Sequence, residues 1–152
     1  MEMDDPHIPL SFGIARERGL EFKFKCTDLG DVHPNTALVC LRGKNGKEVE
    51  VLASSVGGGR ISVRRIDGME VDFSGQGNTL IVFHRDIPGT IAAVTSILGS
   101  YNINIGEMKV FRSKRGGKAV MVIDVDEQPS KDVLKAMEKL GNIMEVDMIP
   151  PV

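Results

Sequence analysis

The segment His84-Arg85-Asp86-Ile87-Pro88-Gly89 combines a histidine and a carboxylate with a helix-starting proline and a glycine. It follows an apolar run and precedes a helical pattern, so it joins a strand end to a helix start. Free backbone N–H groups at such a junction, with the helix dipole behind them, favour an anion such as the α-carboxylate of an amino acid. His84 or Asp86 could then meet the ligand's ammonium or hydroxyl. Asn104 opens the next strand and is expected beside the same loop, on the reasoning that the helix returns the chain to that end. The plainer alternative is that Asp86 caps the helix and His84 is a satisfied sheet-end histidine. A second polar group, His33-Pro34-Asn35-Thr36, precedes a strand and reads equally as a ligand contact or an Asx-type turn. Ser54-Ser55-Val56-Gly57-Gly58-Gly59 has glycines but lacks the Lys-Ser/Thr of a phosphate loop, so a flexible connection or a close backbone approach is the better reading. Arg60, Arg64 and Arg65 could meet an anion, though on a strand they more often line a solvated edge. Cys26 and Cys40 are expected to be buried, inert thiols, since no base stands beside either in sequence. No catalytic set is complete, and no paired-cysteine or H-E-x-x-H metal motif occurs.

The elements that must position these residues follow from periodicity. Thr79 to His84 reads as a buried strand, and Ile87, Ile91, Val94, Ile97 and Leu98 recur at helical spacing up to Gly99. Ile103 to Phe111 reads as a strand, Ser113 to Gly117 as a hairpin turn, and Ala119 to Val125 as a strand with alternating faces. A helix capped by Ser130 presents Val133, Leu134, Met137 and Leu140, Gly141 ends it, and Ile143 to Ile149 is the last strand. The order βαββαβ is that of a ferredoxin-like fold, a four-stranded antiparallel sheet with both helices on one face. The other face must meet solvent or another domain, and the open edges favour pairing with a second copy. Ahead of it, Pro6 to Arg18 suggests a helix weakened by Pro9 and Gly13, and Glu21 to Thr27 a strand. Thr36 to Arg42 and Glu48 to Ala53 flank a Gly-Lys-Asn-Gly turn, and Arg60 to Ile66 and Met69 to Phe73 flank Asp67-Gly68. The chain is thus α+β. Residues 1–75 form a partial, strand-rich α/β domain and residues 76–152 the ferredoxin-like domain, divided at Ser74-Gly75-Gln76-Gly77-Asn78.

Composition excludes several classes. The 152 residues are 41% hydrophobic and 26% charged, enough to bury a core. Net charge is −2, which gives no support for nucleic-acid or anionic-membrane binding. Two cysteines cannot alone supply a four-ligand zinc or iron–sulfur site. No apolar run approaches the roughly 18 residues of a membrane helix, and the acidic start is unlike a signal peptide. The chain reads as soluble and cytoplasmic.

Two resemblances sharpen this reading. Leu80 to Ile149, with His84-Arg-Asp-Ile-Pro-Gly89 and Tyr101-Asn-Ile-Asn-Ile-Gly106, resembles an ACT domain, a module that commonly senses amino acids and pairs with copies of itself. In phosphoglycerate dehydrogenase such a domain binds serine through polar residues that match His84, Asp86 and Asn104 here. That dehydrogenase has asparagine in place of Asp86, and a carboxylate there repels a ligand carboxylate and attracts an ammonium. Val32-His-Pro-Asn-Thr-Ala37, the Gly-Lys-Asn-Gly hairpin, Ser55-Val-Gly-Gly-Gly-Arg-Ile61 and Ile66-Asp-Gly68 resemble the beta chain of bacterial iron–sulfur-dependent L-serine dehydratase. In that family these segments belong to an allosteric substrate-binding domain. The resemblance implies the C-terminal part of a beta chain, without the family's earlier Ser-Ser-Ser-His-Thr segment. It implies ligand-binding residues His84, Asp86, Gly89 and Asn104, and inter-domain or substrate-proximal residues His33 and Asn35. It further implies a partner alpha chain that carries the [4Fe–4S] cluster, an amino-acid ligand such as L-serine, and a homodimer through the ACT domain. No cofactor, metal or catalytic residue is expected in this chain, which alone should not turn over serine. A free-standing amino-acid sensor and a regulatory fragment of phosphoglycerate dehydrogenase are the alternatives.

Overall fold

The structure, a computed structural model, describes residues 5–151. The chain divides into two compact units, one ending at His33 and the other beginning at Pro34.

In the first unit a 3-10 turn at Ile8–Leu10, holding Pro9, leads into helix α1, Ser11–Glu17. The expected helix over 6–18 is therefore shorter. It stops where Gly19 turns left-handed at φ 75° and the Leu20 N–H donates back to the Ala15 carbonyl. The strand expected over 21–27 is not formed, and residues 20–29 have no regular structure. Alternating Phe22, Phe24 and Cys26 supply a strand pattern but no neighbouring strand takes up their backbone groups. Instead the rings of Phe12, Phe22 and Phe24 cluster, with centroids 5.2 to 5.8 Å apart.

In the second unit β1 (Thr36–Arg42), β2 (Glu48–Gly57), β3 (Arg60–Ile66) and β4 (Met69–Phe73) form an antiparallel meander in chain order. Asp67-Gly68 makes a two-residue turn in it, where both residues take positive φ, 48° and 76°, the pairing a two-residue hairpin with primed geometry needs. Next come β5 (Asn78–Arg85), α2 (Thr90–Ser100), β6 (Ile105–Arg112), β7 (Lys118–Val125), α3 (Lys131–Glu138) and β8 (Ile143–Ile149). Their sheet has order β6-β7-β5-β8, and every hydrogen-bonded pair is antiparallel. The βαββαβ expectation is met element by element.

Two cores lie on opposite faces of this sheet. Leu80, Val82, Met121 and Ile123 pack beneath Val94 and Leu98 of α2 and Val133 and Met137 of α3. Ile81, Val120 and Val122 pack against Val63, Ile66, Val71 and Phe73 of the meander. The face that the helices leave open is thus covered by the chain's own second sheet, which is why β5 reads as an unbroken apolar run rather than an alternating one. Charges tie the sheets at both margins. Lys47, in the turn between β1 and β2, pairs with Glu145 and reaches Asp147 at 3.7 Å on β8, and Lys109 on β6 donates to the Asp72 carbonyl at 3.2 Å. The junction at 74–77 falls between β4 and β5, inside this unit. No helix among the described residues is long and apolar enough to cross a membrane.

Candidate functional site

The loop from His84 to Gly89 lies where β5 meets α2. α2 begins at Thr90 rather than Ile87, and its N-cap is Gly89 at φ 87°, a conformation that favours glycine. No side chain caps it. Asp86 is therefore not the cap that the alternative reading assigned. The carboxylate turns the other way, accepting from the Gly116 N–H at 3.0 Å and from the Arg112 guanidinium at 3.4 Å, in the turn between β6 and β7 and at the end of β6. The Gly116 N–H first, and then Arg112, hold the Asp86 carboxyl below its ordinary range.

His84 points to the helix face and is 1% exposed. Its Nδ1 lies 2.8 Å from the Arg85 carbonyl. A carbonyl only accepts, so Nδ1 donates to it. Among the described residues Nε2 has no hydrogen-bond partner, so His84 is not the satisfied sheet-end histidine of the plainer reading. Buried Thr90 donates to the Ile87 carbonyl at 3.1 Å, and Asn142 donates to the Thr90 hydroxyl at 3.3 Å. The junction thus combines an α2 N-terminus with no side-chain cap, a buried imidazole nitrogen without a partner among the described residues and a carboxyl held below its ordinary range, a set suited to a small zwitterion that also carries a hydroxyl.

Asn104 is elsewhere. Ile105 and Asn78 both pair with Val125, at the start of β5, whereas His84 pairs with Ala119. A strand–helix–strand unit brings the chain back to the end where the first strand began, not where it finished. Asn104 is therefore about 20 Å from His84, six residues along the strand. It donates to the Asp126 carboxylate at 2.7 Å, and Asn78 donates to the Asp126 carbonyl at 3.4 Å. One chain brings together His84, Asp86 and Gly89 but not Asn104.

The remaining candidates fall as follows. His33 closes the first unit, and Asn35, second residue of the other, has its carbonyl accepting from the Ser55 N–H at 2.9 Å. Gly57, Gly58 and Gly59 all have positive φ and make the turn between β2 and β3. Arg64 pairs with Asp72 at 2.9 Å and Arg65 with Glu50 at 3.7 Å, both across neighbouring strands. Cys26 and Cys40 are exposed, contrary to expectation. Cys26 lies in the irregular segment and Cys40 on edge strand β1, where only one neighbour shields it. Among the described residues no group of three or more histidine, cysteine or acidic side chains is placed to hold a metal. Arg112, Gly116, Thr90 and Asn142 were not singled out from sequence. Only Thr90 had a local signal, its place directly after the helix-starting Pro-Gly.

The ACT domain family matches residues 78–142. The probable L-serine dehydratase beta chain of Bacillus subtilis (strain 168) is 37% identical over 145 residues, 95% of this chain and 66% of that protein. The L-serine dehydratase beta chain of Peptoniphilus asaccharolyticus is 32% identical over 136 residues, 89% of this chain and 61% of its own length. The D-3-phosphoglycerate dehydrogenase of Bacillus subtilis is 29% identical over 137 residues, 90% of this chain but 26% of that enzyme. The chain thus spans slightly less than two thirds of the two beta chains.

Proposed function

We propose, on the premise that this chain carries an ACT domain and is similar along most of its length to L-serine dehydratase beta chains, that it is a regulatory and assembly part of an L-serine dehydratase. The whole enzyme would convert L-serine to pyruvate and ammonia. The dehydration chemistry, with its [4Fe–4S] centre, is assigned to a partner alpha chain. This chain binds an amino acid, with L-serine the first candidate.

The observation that carries the ligand reading is the buried, unpaired Nε2 of His84 beside the uncapped start of α2. An α-carboxylate fits the N–H groups of α2, a serine hydroxyl donates to Nε2, and Asp86 attracts the ammonium. Because Nε2 is sealed from water, entry requires the 86–89 loop to open locally. Asn104 can join this site only from a second copy. Edge strand β6 gives such a copy a place to pair, with Met108 36% and Val110 38% exposed along it. Regulation then means that the ligand binds two states of the assembly with different affinity, and the coupling is reciprocal.

Calorimetry with L-serine and a panel of other amino acids tests this. L-serine binding that is lost in both His84→Ala and Asn104→Ala supports the reading, and absence of binding by every amino acid overturns it. Turnover of L-serine by the purified chain without an alpha chain would overturn the division of labour. The match to 90% of this chain in phosphoglycerate dehydrogenase favours a second reading, a regulatory segment of such an enzyme. A neighbouring gene encoding a cysteine-rich alpha chain decides for the first.

A further inference from the structure

The loop that follows buried His84 is pinned from outside by a different element, the tip of the β6–β7 hairpin. The Asp86 backbone N–H donates to the Gly117 carbonyl at 2.8 Å. The Asp86 carboxylate accepts from the Gly116 N–H at 3.0 Å and from Arg112 at 3.4 Å. On its other side the loop is fixed by the Arg85 N–H, which donates to the Asn142 carbonyl at 2.9 Å. Between these ties and buried Thr90, residues Ile87, Pro88 and Gly89 are exposed. The hairpin tip itself is tightly turned. Gly116 takes φ 72°, and a Cβ on Gly117 would fall 3.1 Å from the Lys114 carbonyl oxygen. Asp86 is thus the point at which a rigid turn grips the loop, and an exposed ion pair of the Asp86–Arg112 kind is weak and exchangeable.

We propose, resting on the amino-acid reading above, that the hairpin tip is a latch on the ligand site. In the free chain Gly116 and Arg112 hold Asp86 and keep the 86–89 loop shut over His84. In the liganded chain Asp86 leaves them for the ligand's ammonium. The exchange replaces one cation with another at the same carboxylate, so no buried charge is stranded. It frees the Gly116 N–H and the Arg112 guanidinium at the end of edge strand β6, and so carries occupancy from a buried site to an exposed hairpin. The cost of opening lowers the apparent affinity by the fraction of free chain that is open, so weakening the latch alone tightens binding.

Two substitutions with opposite consequences test the latch. Acylation of His84 by diethyl pyrocarbonate, read by mass on the peptide that carries it, reports opening with no ligand present. Arg112→Ala should speed it about two- to fivefold, the range an exposed ion pair supports. Asp86→Ala should speed it more, and Arg112→Lys should restore the original rate. Arg112 is exposed, so its substitutions should leave the melting curve in place and unfolding does not mimic opening. L-serine affinity by calorimetry should then split in sign. It should rise by a similar factor in Arg112→Ala and fall in Asp86→Ala, where the ammonium loses its partner. Saturating L-serine should also speed hydrogen exchange at the Gly116 amide. An acylation rate indifferent to both substitutions overturns the latch, as does weaker L-serine binding in Arg112→Ala or slower Gly116 exchange with L-serine. Faster acylation in a chain that binds no amino acid keeps the latch on His84 but overturns the exchange and, with it, the ligand reading.

Discussion

Asp86 shows how a residue's chemistry is set by partners far along the chain. Its position suggests a helix cap or a ligand contact, yet its carboxylate is held by Gly116 and Arg112 from the following hairpin. The pKa is depressed in the folded chain, so the stabilisation exists above the unfolded value and disappears as pH falls through the folded one. Asp86→Asn should therefore remove that acid sensitivity and speed hydrogen exchange at the Gly116 amide. An unchanged exchange rate would show that the tie holds nothing in place. Asp147 has the opposite sign. Burial, and then neighbouring Glu145, push its carboxyl up, while Lys47 opposes them. The folded chain thus holds that proton more tightly than the unfolded one, and the stability cost of ionised Asp147 grows as pH rises through the unfolded and then the raised folded pKa. Asp147→Asn should raise the melting temperature slightly at neutral pH and flatten its dependence on mildly acidic pH, measured by thermal melts across that range.

At the level of elements, β5 and α2 carry the load that their sequences announce. Leu98 is fully buried over the sheet, so Leu98→Ala should cost about 2–5 kcal/mol by removing packed volume the surroundings cannot refill. Urea titration at constant slope checks this. Ile91, at the same helical spacing but 41% exposed, should cost far less when cut to alanine. Elements were legible because their signals are local: Asp67-Gly68 for a hairpin, Val94 and Leu98 for a helix face, alternation from Ala119 to Val125 for a strand. Register and partners were not. Nothing near Asn104 in sequence says that Val125 lies opposite its neighbour Ile105, and direction along the sheet, not spacing, separates it from His84. The segment from Phe22 to Cys26 failed for a related reason, since a strand pattern needs a second strand to become one.

Across the whole molecule, stability is unevenly spread. Residues 5–33 bury nothing, while β5 and β7 lie between two cores. Amide exchange should be fast throughout 5–33 and slowest at Leu80 to Val82 and Val120 to Ile123, reflecting local against global opening. Comparable protection in both regions would refute that ranking. The meander covers the sheet face that the helices leave open, so self-association is left to the strand edges and α2. Light scattering at high concentration should still detect a dimer, and Met108→Lys on edge strand β6 should weaken it. The two-sided burial of β5 also bears on how such a gene can change. Leu80 and Val82 face one layer while Ile81 faces the other. Inserting or deleting one codon within β5 would exchange the two sets at once. Conservative replacements can accumulate in this strand over time, but its length in residues cannot drift without both layers being rebuilt together.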